Sequence, residues 1–248
     1  MSDRFELSGV VHLVRPVGER VSELESLRTA LSRVPDRALF FHTRARWLHR
    51  PESDELPPDD VSAWVGGVIQ DREVAERLSY AADLAGESAA ALRVAWLAVL
   101  DTVPERARNT HAAPPGGEFV FLACESVRVP SGRAVADATE LMRSLDEADP
   151  SVWFWHLIEE PWEHPGHAPL LRWLESRGET GLAERFESVM RSGRPLAEMR
   201  RSLMRRWRWS GLGGRVAAAA GQSAIERRRA GREAVVSLTR RLHRKETP

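Results

Sequence analysis

The sequence predicts a mainly α-helical protein with a small β element, built from two degenerate repeats and a basic C-terminal helical tail. Apolar residues recur at helical spacing through much of the 248-residue chain, of which 42% is apolar and 29% charged. A shift of 114 positions aligns residues 5–51 with residues 119–165 without a gap. Each aligned stretch opens on β-branched and aromatic residues, a pattern typical of a strand.

The repeat depends on identical residues at matched positions. Nine of the 47 aligned positions are identical, where unrelated sequences would share about three. Beyond Pro51 the first copy has five extra residues, and the match resumes at Trp64 and Trp173. The identities are Phe5/Phe119, Pro16/Pro130, Gly18/Gly132, Val21/Val135, Leu27/Leu141, Leu31/Leu145, Phe40/Phe154, His42/His156 and Pro51/Pro165.

We predict four parts along the chain. Residues 1–103 and 119–210 form the two repeat units, related by a pseudo-twofold axis. A linker rich in proline and glycine joins them at residues 104–118, and the tail occupies residues 211–248 after a glycine-rich break.

Each unit begins with a predicted strand, at residues 5–14 and 119–129. A Pro-x-Gly turn follows each strand, at residues 16–18 and 130–132. Because lone strands do not form stable sheets, we expect the two strands to pair with each other.

Helices are predicted after the turns. The first has one apolar face, formed by leucines from Leu24 onwards and by matched residues from Ala138 onwards. The aromatic segments 38–49 and 152–162 come next. We predict them as helices because Asp36 or Asp149 can cap their start, with a short buried strand as the alternative. Three further helices are predicted in the first unit, at residues 60–70, 72–82 and 87–100.

Composition excludes several classes of protein. Cys124 is the only cysteine, so neither an intrachain disulfide nor a cysteine-based zinc cluster forms. The chain shows no secretory signal pattern and no run of about 18 apolar residues, so we expect a cytoplasmic protein. Nucleophile-elbow and Walker A motifs are absent, and no cofactor is predicted.

Charge is distributed unevenly along the chain. There are 36 basic and 36 acidic residues, but residues 193–248 hold 15 basic and 4 acidic ones. A helical tail with this charge predicts a protein partner first. An anionic membrane surface and nucleic acid are the alternatives, and the oligomeric state stays open. The candidate partner-binding residues are Arg227, Arg228, Arg229, Arg240, Arg241, Val235, Leu238 and Leu242.

Two aromatic–histidine pairs are candidate ligand contacts. Phe41 precedes His42, and Trp155 precedes His156, at matched positions. An imidazole beside an aromatic ring can hydrogen-bond a ligand and titrate near neutral pH. The alternative is a pair of structural histidines that satisfy backbone groups beneath the aromatic layer.

A second cluster suggests a metal site in the second unit. His156, Glu160, His164 and His167 are nitrogen and oxygen donors within twelve residues. A polar, solvated helix end is the alternative. The first unit lacks most of these donors, which argues against a shared ancestral site.

The segment Phe41-His42-Thr43, the acidic loop Pro57-Pro58-Asp59-Asp60 and Trp64 resemble a bacterial and archaeal domain family of unknown function. The second copy departs from the pattern, with Leu157 in place of the threonine. Some members of that family occur beside or fused to carbohydrate-active enzymes such as glycosyltransferases, so the resemblance implies a sugar-related context. It brings no catalytic residue.

These observations lead us to expect a non-enzymatic accessory or adaptor protein that docks on a protein partner through its arginine-rich tail. One alternative is a small-ligand or carbohydrate-related binding protein or enzyme that uses the aromatic–histidine segments. The other is a metal-binding protein centred on residues 156–167.

Overall fold

A computed structural model describes residues 4–49, 59–85, 88–166, 168–205 and 207. It confirms the mainly helical fold class with a small antiparallel sheet. Its contacts divide the chain into residues 1–203 and residues 204–248. The first of these units contains the elements set out below. The eight tail residues predicted to bind a partner lie outside the described part of the chain.

The sheet consists of β1 (Phe5–Val21) and β2 (Phe119–Val135), which pair antiparallel as expected. The predicted turns after the strands are wrong, because each strand runs through its Pro-x-Gly segment. The register shifts there instead, between Pro16 and Arg20 in β1. Pro16 has no N–H to donate to the ladder, and Gly18 adopts φ 85°. The residues between Pro16 and Arg20 therefore form a bulge in an exposed stretch of β1.

At the centre of the ladder His12 faces Ser126. The 114-residue offset matches these same two residues. The pairing on either side of them is therefore reciprocal. Val11 pairs with Val127, the residue matched to Leu13, and Leu13 pairs with Glu125, the residue matched to Val11. The duplication and its pseudo-twofold axis stay predictions.

Short helices make up the first half of the unit. The aromatic segment is helical and not a strand, but Pro35 and not Asp36 is the residue that precedes its first turn. The three later helices are confirmed. The elements are α1 (Leu24–Leu31), α2 (Asp36–Phe40), α3 (Arg46–His49), α4 (Asp60–Trp64), α5 (Arg72–Leu84), α6 (Ala89–Asp101) and α7 (Glu105–Arg108), with π-helical turns at Phe41–Ala45 and Val65–Ile69.

The second half repeats part of this order. Asp149 caps α9, as predicted, by accepting a hydrogen bond from the amide of Ser151 at 2.8 Å. Residues 196–205 are also helical. The elements are α8 (Ala138–Asp146), α9 (Pro150–Phe154), α10 (Glu160–Glu163), α11 (Pro169–Ser176) and α12 (Thr180–Met190), with a π-helical turn at Trp155–Glu159.

Each aromatic helix packs on the strand of the other half of the unit. Helix α2 lies against β2, and α9 lies against β1. Phe40 and Phe154, the matched aromatics of these helices, are fully buried with ring centroids 6.1 Å apart. This exchange brings the two histidine-bearing segments to opposite edges of one sheet. None of the described helices is long and apolar enough to cross a membrane.

Candidate functional site

The side chains of His42 and His156, which the 114-residue offset matches, accept hydrogen bonds from the two strands. His42 and His156 are buried, and each lies in a π-helical turn. The backbone N–H of Leu122 donates to Nε2 of His42 at 2.9 Å. The N–H of Ser8 donates to Nε2 of His156 at 3.2 Å. Each histidine therefore satisfies a strand amide of the opposite half, at positions that the 114-residue offset matches.

A carboxylate fixes the orientation of each ring. Nδ1 of His42 lies 3.0 Å from Oδ2 of Asp60, and Nδ1 of His156 lies 3.0 Å from Oε2 of Glu160. Nδ1 carries the proton because a carboxylate accepts, which leaves Nε2 free to accept from the strand. The 114-residue offset matches Glu160 with Arg46, which is not a carboxylate, and Asp60 of α4 supplies the carboxylate to His42 instead.

The other candidate ligand contacts surround these rings. Phe41 is half-buried, and its ring lies 5.1 Å from that of His42. Trp155 is buried, with Arg128 over its ring at 5.7 Å. Its indole N–H has no hydrogen-bond partner among the described residues. Ligand binding by these four residues stays a prediction.

The predicted metal ligands differ in burial, and metal binding by them stays a prediction. Glu160 is bonded to His156 within the core, while His164 is exposed at the end of α10. His167 lies outside the described residues. Within the described ranges there is no group of three or more histidine, cysteine, aspartate or glutamate side chains placed to hold a metal ion.

Sequence reasoning missed a buried charged cluster at the centre of the sheet, formed by His12, Arg37, Ser126 and Glu159. The Glu159 side chain is fully buried. Its Oε2 accepts from Nε2 of His12 at 2.8 Å, and its Oε1 accepts from Nη1 of Arg37 at 2.9 Å. The hydroxyl of Ser126 also donates to Oε1. This central cluster joins both strands to α2 and to the second aromatic segment.

The hydrogen bonds keep Glu159 ionised. Burial acts to raise the pKa of its carboxyl, but the interactions with His12, Ser126 and Arg37 together outweigh burial and hold the pKa below its ordinary value. On the neighbouring α3, burial and the proximity of His12 lower the pKa of His49. Burial and then the Glu159 charge raise the pKa of the Cys124 thiol to about 12, so this thiol stays protonated at neutral pH.

The central cluster carried no local signal in the sequence. Glu159 and Glu160 together resemble the start of a solvated helix. Alanine stands 114 residues before Glu159, so the alignment of the two segments offered no second example of this carboxylate. His12 and Glu159 are 147 residues apart, and they meet only because the second aromatic segment packs on β1.

The two aromatic segments also line a cavity of about 250 Å³. Trp47 comes from the first segment, and Leu157 and Trp162 come from the second. Arg44 stands over the ring of Trp47 at 4.8 Å, and Arg172 lies at the wall. The lining also contains Glu175 and Glu187, so the cavity combines apolar surface with charged groups of both signs.

One face of the sheet is exposed and apolar. We define the sheet strip as Val11, Leu13, Val127 and Val129, which lie on the same face because their ladder positions alternate. Their exposed fractions are 54%, 58%, 46% and 43%. An ion pair between Arg15 and Glu125, 3.0 Å long and exposed, lies at one side of the strip.

A comparison with solved structures finds a similar fold in OrfY from Thermoproteus tenax. The TM-score is 0.68 at 20% sequence identity, over 82% of this chain and 94% of that chain. At this identity the likeness shows the fold alone. No curated protein sequence matches the chain. A model of a family of unknown function (DUF5752) matches residues 2–208.

Proposed function

The chain belongs to the DUF5752 family, whose function is unknown, and we propose from its own residues that it is a non-enzymatic accessory protein that docks on a partner protein. The partner presents an apolar surface to the sheet strip and acidic groups to the arginine-rich tail. The proposal on the tail depends on its sequence alone.

The sheet strip is the observation that carries this proposal. Val11 and Val127 face each other at the middle of the sheet and are both about half exposed. Branched aliphatic side chains of a strand normally pack against a second layer. A contiguous exposed patch of such residues marks interaction surfaces. Arg15 and Glu125 lie beside the strip as a polar rim, and protein interfaces commonly have an apolar centre with a polar rim.

The internal bonding of the buried polar groups also supports a role in binding. In the described part of the chain, both ring nitrogens of His42 and of His156 have partners within the protein. Glu159 bonds to three side chains of its own chain. These groups hold the sheet in place and present the strip.

The test is affinity capture from native cells after nuclease treatment, with quantitative mass spectrometry. A double variant, Val11→Glu with Val127→Glu, and a tail variant, Arg240→Glu with Arg241→Glu, are compared with the unmodified chain. The control is Val94→Glu, since Val94 is 68% exposed on α6. We expect one stoichiometric protein that is lost in both variants and kept in the control.

Two results would contradict the proposal. One is that no stoichiometric protein is captured, or that capture is equal for all four chains. The other comes from light scattering of the purified chain: a dimer that the Val11→Glu and Val127→Glu pair dissociates would assign the strip to a second copy.

The cavity favours a second candidate function, the binding of a small ligand. Trp47 and Trp162 provide flat apolar surface. The lining also carries arginines (Arg44, Arg172) and glutamates (Glu175, Glu187), so the ligand is a cyclic or partly apolar molecule with polar or charged groups. A thermal-shift screen of aromatic carboxylates and sugar phosphates tests this. The stabilising ligand should have no effect on Leu171→Trp, which fills the cavity. A screen without a stabilising compound would contradict it.

A further inference from the structure

The cavity between the two aromatic segments has an apolar floor. Leu157, Ile158 and Met199 line it and are buried, and Trp162 adds a half-buried ring to the wall. The volume of about 250 Å³ lies below the range of about 300–1,000 Å³ that is usual for pockets of drug-sized ligands. The floor therefore has room for one apolar group, such as a single ring or a branched chain.

The rim of the cavity carries one positive and one negative side chain on the same helix. Arg172 and Glu175 of α11 both line the cavity, and both are exposed. They are three positions apart, which places their Cβ atoms about 5–6 Å from each other on one face of the helix. In the described part of the chain, neither side chain takes part in a hydrogen bond or an ion pair. Both are therefore available to a ligand.

The other charged groups of the lining interact within the protein. Oε1 of Glu187 lies 2.8 Å from Nη2 of Arg191, one turn further along α12. Arg44 stands over the ring of Trp47 at 4.8 Å. The charges on α11 therefore decide which charged ligand the rim accepts.

From this arrangement we propose that the cavity binds a free α-amino acid with a large apolar side chain. The carboxylate of the ligand pairs with Arg172, its ammonium group pairs with Glu175, and its side chain enters the apolar floor beside Trp162. This inference rests on the second candidate function, the binding of a small ligand in the cavity, and names the class of that ligand. It is independent of docking through the sheet strip.

A zwitterion satisfies both charges of the rim. A simple anion would lie beside Glu175, and a simple cation would lie beside Arg172, so each would meet a like charge. A guanidinium group can bind a carboxylate through two parallel hydrogen bonds, which fixes the orientation of the ligand. The floor excludes a ligand that is polar throughout, because buried hydroxyl or amide groups would lose water without gaining hydrogen bonds there. The apolar side chain gains affinity by leaving water.

The test is calorimetric titration of the full chain with L-phenylalanine and with three compounds that each lack one of its groups. The compound 3-phenylpropionate lacks the ammonium group, 2-phenylethylamine lacks the carboxylate, and glycine lacks the apolar side chain. We expect one L-phenylalanine per chain. Loss of either exposed ion pair should weaken binding about fivefold. Glycine should show no measurable binding.

Two variants assign the charged groups of the ligand to the rim. Arg172→Gln should weaken the binding of L-phenylalanine about fivefold and should not weaken that of 2-phenylethylamine. Glu175→Gln should have the same effect on L-phenylalanine and should not weaken the binding of 3-phenylpropionate. Both residues are exposed, so the variants fold. The control is Glu184→Gln, an exposed residue of α12 outside the lining, which should leave every affinity unchanged.

Three results would overturn the inference. In the first, 3-phenylpropionate or 2-phenylethylamine binds the unmodified chain as tightly as L-phenylalanine, so the cavity binds small ligands without selecting an amino acid. In the second, Arg172→Gln and Glu175→Gln both keep the affinity for L-phenylalanine. In the third, no compound of the set binds. The second candidate function also fails if the thermal-shift screen then finds no stabilising compound.

Discussion

Replacing Glu159 by glutamine tests the role of the central cluster in stability. Glutamine keeps the size of the side chain but removes the charge that faces Arg37 and His12. Removing one member of a buried ion pair costs about 3–5 kcal/mol. The Arg37 side chain is 36% exposed and keeps its bond to Glu163, so hydration recovers part of that loss. We expect Glu159→Gln to lower the free energy of unfolding by about 2–4 kcal/mol at pH 7.

The assay is urea unfolding followed by tryptophan fluorescence and circular dichroism. A chain of this length should lose about 5–15 °C in melting temperature. The matched control is Glu163→Gln, because Glu163 also bonds Arg37 but its side chain is 24% exposed. It should cost less than about 1 kcal/mol.

The stability difference between the unmodified chain and Glu159→Gln should depend on pH, and the sign of this dependence follows from the pKa of Glu159. The pKa of Glu159 is depressed in the folded chain. The stability that it supplies is therefore fully present above the ordinary carboxyl pKa, about 4.3, and is lost as the pH falls through the lower folded value. The difference in unfolding free energy between the unmodified chain and Glu159→Gln should be constant from pH 7 to about pH 5 and should decrease in stronger acid. A cost below about 0.5 kcal/mol, or a cost equal to that of Glu163→Gln, would show that the buried charge of Glu159 does not stabilise the fold.

Three further predictions concern individual side chains and one glycine of the sheet. His42→Ala and His156→Ala each remove the acceptor of a strand amide, that of Leu122 or of Ser8. Each variant should lower the free energy of unfolding by about 2–4 kcal/mol and speed hydrogen exchange at that amide. Unchanged exchange would contradict this prediction. The thiol of Cys124, with its pKa raised to about 12, should react with a disulfide reagent at pH 8 only as fast as the chain unfolds, and a rapid native-state reaction would contradict its burial. Gly18→Ala should cost about 1 kcal/mol in chemical denaturation because Gly18 has φ 85°. Gly67→Ala should not destabilise the chain, because Gly67 lies in the helical turn Val65–Ile69 without a positive φ and helices favour alanine over glycine.

Local patterns predicted most of the helices. Leucines at helical spacing located α1, and an aspartate cap located the start of α9. These features depend on residues within one or two turns of each other. The Pro-x-Gly segments were misassigned as turns because a bulge uses the same residues. Only the partner strand decides whether the chain reverses or continues.

The candidate sites show a similar division. The repeat singled out His42 and His156 from sequence, and the alternative of structural histidines anticipated their bonds to backbone amides. It did not anticipate that each histidine binds the strand of the other half. The sheet strip was also missed, since a partly alternating strand does not reveal which of its faces lacks a covering layer.

The fold class and most of the helices could be predicted from local patterns, because propensity and periodicity act over short stretches of chain. The pairing of the two strands could be predicted because a lone strand forms no stable sheet. The central cluster, in contrast, exists only in the folded chain. His12 and Glu159 are 147 residues apart, and the packing of the second aromatic segment on β1 brings their side chains to 2.8 Å. Burial then gives that contact its strength, because a carboxylate removed from water must find its hydrogen-bond donors within the protein.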